Sequence, residues 1–182
     1  MSGDRKVKVL YDELAIADRT EALAKEIAAA NPKELLVVAI LKGSFMFAAD
    51  LLRALYRAGM EPQVEFFHVS SYLTGTVSSG TVKILRDIES SVRDRDVLLV
   101  DDILESGRTL AFAKDLQVAR GARRVLVCVM LEKPHKRAVD IGADFVGFVC
   151  PDVFVVGYGM DVAHSYRELP FIGRVVTAQD AA

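Results

Sequence analysis

The stretch VLLVDDILESGRTLAFA, from Val97 to Ala113, sets four aliphatic residues ahead of two adjacent carboxylates, a third acid and then Ser106-Gly107-Arg108-Thr109. A short, wholly apolar run reads as a strand buried on both faces. Leu110 to Arg120, closed by Gly121, reads as a helix with a glycine after its end. A loop between such a strand and helix turns backbone N–H groups outward at the helix N-terminus, a natural cradle for a phosphate. Gly107 lets backbone approach closely, and Ser106 and Thr109 add hydroxyl donors. Asp101 and Asp102 would repel that phosphate on contact, so they suit sugar hydroxyls or a divalent cation instead. A phosphate beside vicinal hydroxyls describes a ribose 5-phosphate. The plainer alternative is that the acidic pair only caps the following loop. A P-loop would need two glycines and a Gly-Lys-Ser/Thr ending, which the stretch lacks.

Outward from this stretch, strand-like and helix-like segments alternate. Thr20–Ala30 carries Leu23 and Ile27 four apart behind Asp18 and Thr20 as cap candidates, and predicts a helix ended by Asn31-Pro32. Leu35–Leu41 is an apolar strand, Ser44–Ala58 a helix stopped by Gly59, and Val64–Val69 a β-rich run. Leu73–Gly80 reads as a loop. Val82–Leu85, Val125–Leu131 and Phe145–Val149 read as further strands, and by pattern alone so does Phe154-Val155-Val156. Apolar strands alternating with helices imply an α/β fold with a parallel sheet covered on both faces, whose ligands bind beyond the carboxyl ends of the strands. Lys42-Gly43, Asp101-Asp102 and Glu132-Lys133 all fall at those ends. The first twenty and last forty residues fit the alternation poorly and suggest an accessory lobe.

The 182 residues suffice for one domain with a sizeable core. With 52% hydrophobic residues, 26% charged residues and a net charge of −2, the chain is neither disordered nor marked for nucleic acid. No apolar run reaches membrane-span length, and MSGDRKVKVLYDEL lacks the apolar core of a signal peptide. Cys128 and Cys150 sit in apolar stretches and read as buried thiols of a reducing cytoplasm.

VLLVDDILESGRTL resembles the phosphoribosyl-pyrophosphate (PRPP) binding signature of type I phosphoribosyltransferases. LKGSFMFAADL, SSYLTGTVSSGTVKI, LEKPHKR, PDVFVVGYGMD and YRELPFIG resemble, in consistent order from about Val9 to Val175, the bacterial hypoxanthine phosphoribosyltransferases of that family. The resemblance implies one domain over 1–182, with a parallel-sheet core at about 20–150 and a small hood lobe from the N-terminal segment and the C-terminal region. It also implies roles. Asp101 and Asp102 would hold the ribose hydroxyls and Mg²⁺, and Ser106, Gly107, Arg108 and Thr109 the 5-phosphate. Lys42-Gly43 would form a pyrophosphate loop with a non-proline cis peptide before the lysine, joined by Arg167. Ser71-Tyr72 would start a lid. Lys133 would donate to the purine 6-oxygen, Phe154 stack on the base, Val155 meet its pyrimidine edge through its backbone, and Asp161 hold a second metal. Glu105 stands where relatives commonly carry Asp as the group exchanging a proton with purine N7.

The implied reaction transfers phosphoribosyl from PRPP to hypoxanthine, and to guanine as a possible second substrate, with Mg²⁺ as cofactor. A cytoplasmic homodimer or homotetramer, with no nucleic-acid or membrane partner, is expected. The alternatives are a xanthine- or guanine-preferring relative, a PRPP-sensing regulator, which would need a nucleic-acid surface, and a receiver-type signalling domain. The last leaves Ser106 to Thr109 unexplained.

Overall fold

A computed structural model describes residues 6–71 and 82–176. Its main sheet has six strands in the order β4-β3-β2-β5-β6-β7. These are β2 (Leu36–Leu41), β3 (Gln63–Ser71), β4 (Val82–Arg86), β5 (Asp96–Leu104), β6 (Arg124–Glu132) and β7 (Phe145–Val149). Every pairing is parallel except the edge strand β4, which runs antiparallel to β3.

Side-chain alternation explains why the central strands are apolar throughout. Val37, Ala39, Leu98, Val100 and Cys128 enter one core, with helices α1 (Glu13–Ala29) and α2 (Phe45–Arg57). Leu36, Val38, Val97, Leu99 and Val127 enter the other, with helix α3 (Arg108–Ala119). Both faces of the sheet are therefore covered, and burying each such Val or Leu side chain stabilises the fold by roughly 1.5–3 kcal/mol. Both cysteines are buried free thiols, and burial pushes the Cys128 thiol far up.

Beside this body stands a three-stranded antiparallel sheet in the order β1-β9-β8, formed by β1 (Val7–Tyr11), β9 (Ile172–Val175) and β8 (Val155–Val156). The first and last strands of the described residues thus meet in one small sheet. α1 begins earlier than its apolar spacing suggests. Asp12 caps it by accepting the Ala15 N–H at 2.8 Å, so Asp18 and Thr20 lie inside the helix, where the Thr20 hydroxyl donates to the Ile16 carbonyl. Phe154 lies outside β8 and is 58% exposed, whereas Val155 and Val156 are buried. The expected loop at Leu73–Gly80 lies outside the described residues. Among the described residues no helix is long and apolar enough to cross a membrane.

Candidate active site

The sheet reverses direction of growth between β2 and β5, which opens a crevice at their carboxyl ends. β2 pairs with β5 only as far as Ala39↔Val100. β6 goes on supplying partners as far as Leu104↔Glu132. β5 therefore outruns the expected Val97–Val100 strand, and Asp101 and Asp102 lie inside it rather than after it. Each carboxylate accepts the N–H of the next residue, at 3.0 Å from Asp102 and 2.9 Å from Ile103. Burial, and next the charge of Asp102, hold the Asp101 carboxyl well above the usual carboxylate range. Burial raises Asp102 as well, against the hydrogen bond from Asp101 and the neighbouring backbone N–H groups.

The loop after β2 closes over this pair. A Cβ added at Gly43 would lie 1.7 Å from Asp102 Oδ2, so only glycine lets the loop approach so near. The Leu41–Lys42 peptide is cis. The buried Ser44 hydroxyl donates to the Ile40 carbonyl at 2.5 Å and ties α2 back to β2.

On the far side of the pair, Gly107 precedes α3 with a φ of 80°, in the left-handed region. A Cβ there would also meet Ile141 Cγ2 at 2.5 Å. Ser106 Oγ accepts the Arg108 N–H at 3.4 Å. Ser106, Gly107 and Thr109 line a cavity of about 340 Å³ together with Lys42, Gly43, Asp101, Asp102 and Glu105. Arg108 opens α3 and is not one of its walls.

A second cavity, of about 350 Å³, holds Lys133, Phe154, Val155, Asp161, Lys136 and Asp152. Lys133 follows β6 directly and is only 6% exposed. Its ammonium donates to Glu105 Oε1 at 3.3 Å. Lys136 bridges the same Glu105 oxygen at 3.4 Å and Asp152 at 2.7 Å. Asp102, Ile103 and Glu105 are walls of both cavities, so the two spaces meet along one stretch of β5 and the loop after it.

Asp161 and Arg167 form an ion pair at 2.7 Å. Asp161 also accepts the His164 N–H at 2.8 Å, and Arg167 donates to the Gly159 carbonyl at 2.5 Å. Asp161 thus faces the second cavity but does not gather with Asp101 and Asp102. Among the described residues no three His, Cys, Asp or Glu side chains converge into a metal-ligating group. Ser71 ends β3, and Tyr72 lies outside the described residues.

Sequence reasoning missed Lys136, Asp152 and Arg137. The last pairs with Glu132 at 2.6 Å and donates to the Leu104 and Glu105 carbonyls. Only their nearness to Lys133 and Phe154 in the chain marked them, because isolated charges carry no periodicity.

Residues 6–163 match the phosphoribosyl transferase domain family. The bifunctional protein TilS/HprT of Listeria monocytogenes is 47% identical over 171 residues, covering 93% of this chain. The chain spans only 26% of that protein's length. The hypoxanthine phosphoribosyltransferase of Buchnera aphidicola is 40% identical over 93% of this chain and 96% of its own. The crystal structure of a hypoxanthine-guanine phosphoribosyltransferase from Bacillus anthracis superposes with a TM-score of 0.87 at 40% identity, covering 94% of this chain and 100% of that one. Matched in sequence across both cavities and in fold across nearly all of its length, the chain belongs to the phosphoribosyl transferase domain family.

Proposed function

We propose that the chain transfers the 5-phosphoribosyl group from PRPP to hypoxanthine, giving inosine monophosphate and pyrophosphate, with guanine as a second substrate. The observation that carries this reading is the meeting of the two cavities at Asp102, Ile103 and Glu105. One cavity offers a phosphate cradle beside paired acids. The other offers a flat apolar side chain and a buried ammonium. A sugar phosphate in the first and a purine in the second would place N9 and the anomeric carbon at their junction.

In this reading the Ser106–Thr109 turn holds the 5-phosphate with the α3 N-terminus. Asp101 and Asp102 hold the ribose hydroxyls, and Lys42, the Gly43 backbone and Arg167 receive the pyrophosphate. The two carboxylates also fit a divalent cation. Asp101 is buried and Asp102, half-buried, lies beside it, with the charge of Arg167 acting on Asp102. Asp101 and Asp102 would hold Mg²⁺, with Asp161 proposed for a second ion. When bound, the cation neutralises charge on the pyrophosphate. Asp161 would first have to loosen its pairing with Arg167, which frees that guanidinium for the pyrophosphate as well.

Lys133 donates to the 6-oxygen of the base, and Phe154 stacks on its ring. Val155 meets its pyrimidine edge through the backbone. N9 attacks the anomeric carbon as the bond to pyrophosphate breaks, and the N7 proton passes to the Glu105 carboxylate. Lys133 and Glu105 touch each other here. On a purine they would instead meet adjacent groups, an acceptor and a donor on one edge. Ser71-Tyr72 is proposed to begin a lid that keeps water from the reacting sugar.

Residues 1–182 are proposed as a single domain with the three-stranded sheet as its hood, in a cytoplasmic homodimer or homotetramer. Purified chain given PRPP, hypoxanthine and Mg²⁺ should produce inosine monophosphate and pyrophosphate in equal amounts by chromatography. Excess chelator should abolish the reaction. Product formed at full rate in chelator, or no product at all, overturns the reading.

A further inference from the structure

The loop from Leu104 to Gly107 is held from behind by the segment that follows β6. The Leu104 carbonyl accepts the Lys133 N–H at 3.0 Å and the Arg137 guanidinium at 3.0 Å. The same guanidinium nitrogen reaches the Glu105 carbonyl at 3.0 Å. The Ser106 carbonyl accepts the Ala138 N–H at 2.9 Å. Three successive carbonyls are thus drawn toward one side. In a planar trans peptide, each N–H points opposite to the carbonyl it shares the plane with. Drawing the carbonyls of Leu104, Glu105 and Ser106 backward therefore turns the N–H groups of Glu105, Ser106 and Gly107 forward. Those three residues line the cavity that holds the phosphate cradle. Arg137 lines neither of the two cavities.

Arg137 is itself fixed. Its second terminal nitrogen pairs with Glu132 at 2.6 Å, at the end of β6, and both side chains are largely buried. Its Cδ lies 3.3 Å from where a Gly107 Cβ would stand, so the stem also backs the glycine turn. A planar guanidinium meets carbonyls and a carboxylate at once, with its donors fixed in one plane. An ammonium on a flexible stem is a poorer match for that arrangement.

We propose that Arg137, anchored by Glu132, is a positioning residue for the PRPP 5-phosphate. It holds the backbone of the cradle in its anion-binding orientation without touching substrate. The proposal rests on the reading of Ser106–Thr109 as that cradle.

Ribose 5-phosphate and pyrophosphate separate the two halves of the PRPP site, and their binding to the full chain can be measured by calorimetry. Arg137→Met keeps the apolar stem and removes the donors. It should weaken ribose 5-phosphate by about tenfold to a hundredfold, as expected for lost charge-assisted hydrogen bonds. Pyrophosphate, bound at the Lys42-Gly43 loop, should change less than about threefold by comparison. Arg137→Lys should fall between parent and Met variant, and the KM for PRPP should follow the same order while that for hypoxanthine stays near the parent value. Glu132→Gln supplies a milder variant should the Met variant fail to fold, with a smaller loss of the same selectivity. Unchanged ribose 5-phosphate binding in these variants, or equal losses of both ligands, overturns the proposal. A parent chain that binds pyrophosphate but not ribose 5-phosphate overturns the cradle reading beneath it.

Discussion

Glu105 is longer than the aspartate that the family resemblance leads one to expect at this position, by one carbon–carbon bond or roughly 1.5 Å. The structure shows where that length goes: Oε1 reaches both Lys133 and Lys136, at 3.3 and 3.4 Å. A misplacement near 1 Å can cost about a hundredfold in rate, so if Glu105 takes the N7 proton as proposed, the site is set for the longer side chain. Glu105→Gln keeps the shape but cannot accept the proton, and should lower kcat by about 10²–10⁴ with little change in PRPP binding. Glu105→Asp should also be slower than the parent, because its carboxylate withdraws from the two ammonium groups. A Gln variant with parental kcat in stopped assays would reassign Glu105 to shaping the loop. Lys133→Ala should raise the KM for hypoxanthine by about tenfold or more, and that for PRPP much less, as expected for a lost hydrogen bond from a charged donor. Equal rises in both would move Lys133 out of the base site.

At the scale of elements, Asp96 anchors the amino end of β5, the strand that carries the acidic pair. Its side chain is fully buried and accepts the Lys33 N–H at 2.9 Å, Arg123 at 2.6 Å and Arg124 at 2.8 Å. Burial alone would raise its pKa, but the Lys33 N–H, Arg124 and Arg123 together hold it below the ordinary value. An acid depressed on folding stabilises the native state above its unfolded pKa, about 3.9, and loses that contribution as pH falls through its folded value. Asp96→Asn should therefore destabilise the fold by about 1–3 kcal/mol near pH 7, and by less at a pH below the unfolded value of about 3.9. Urea unfolding at both pH values tests this, and a gap independent of pH would contradict it. The sheet itself was legible, because strands buried on both faces must be apolar throughout, as in Leu35–Leu41 and Val125–Leu131. The start of α1 was not, because its cap, Asp12, precedes the apolar spacing that marks the helix. Nor was the length of β5. Asp101 and Asp102 read as the end of a strand, yet the partner strand β6 continues beside them.

At the scale of the whole molecule, two cavities from distant parts of the chain share one wall. β2, β5 and α3 supply the first, and the segments after β6 and around β8 supply much of the second. Much of the first cavity's lining was readable from one contiguous stretch. The second cavity's lining was not, since Phe154 and Val155 carry an ordinary strand pattern and only the resemblance singled them out. Assembly belongs to this scale too. Light scattering at working concentration should give at least twice the 19.9 kDa chain mass, and a monomer mass would end the proposal of a homo-oligomer. The central claim is that a 6-oxopurine meets PRPP where the two cavities join. It is tested most directly by steady-state kinetics with hypoxanthine, guanine, xanthine and adenine side by side at fixed PRPP and Mg²⁺. An ammonium facing the 6-position matches an oxo group and leaves an amino group without a partner. Hypoxanthine should therefore exceed adenine in kcat/KM by about 10³-fold or more, with inosine monophosphate as the product. Comparable turnover of adenine and hypoxanthine, or no turnover of any oxopurine, would contradict the account.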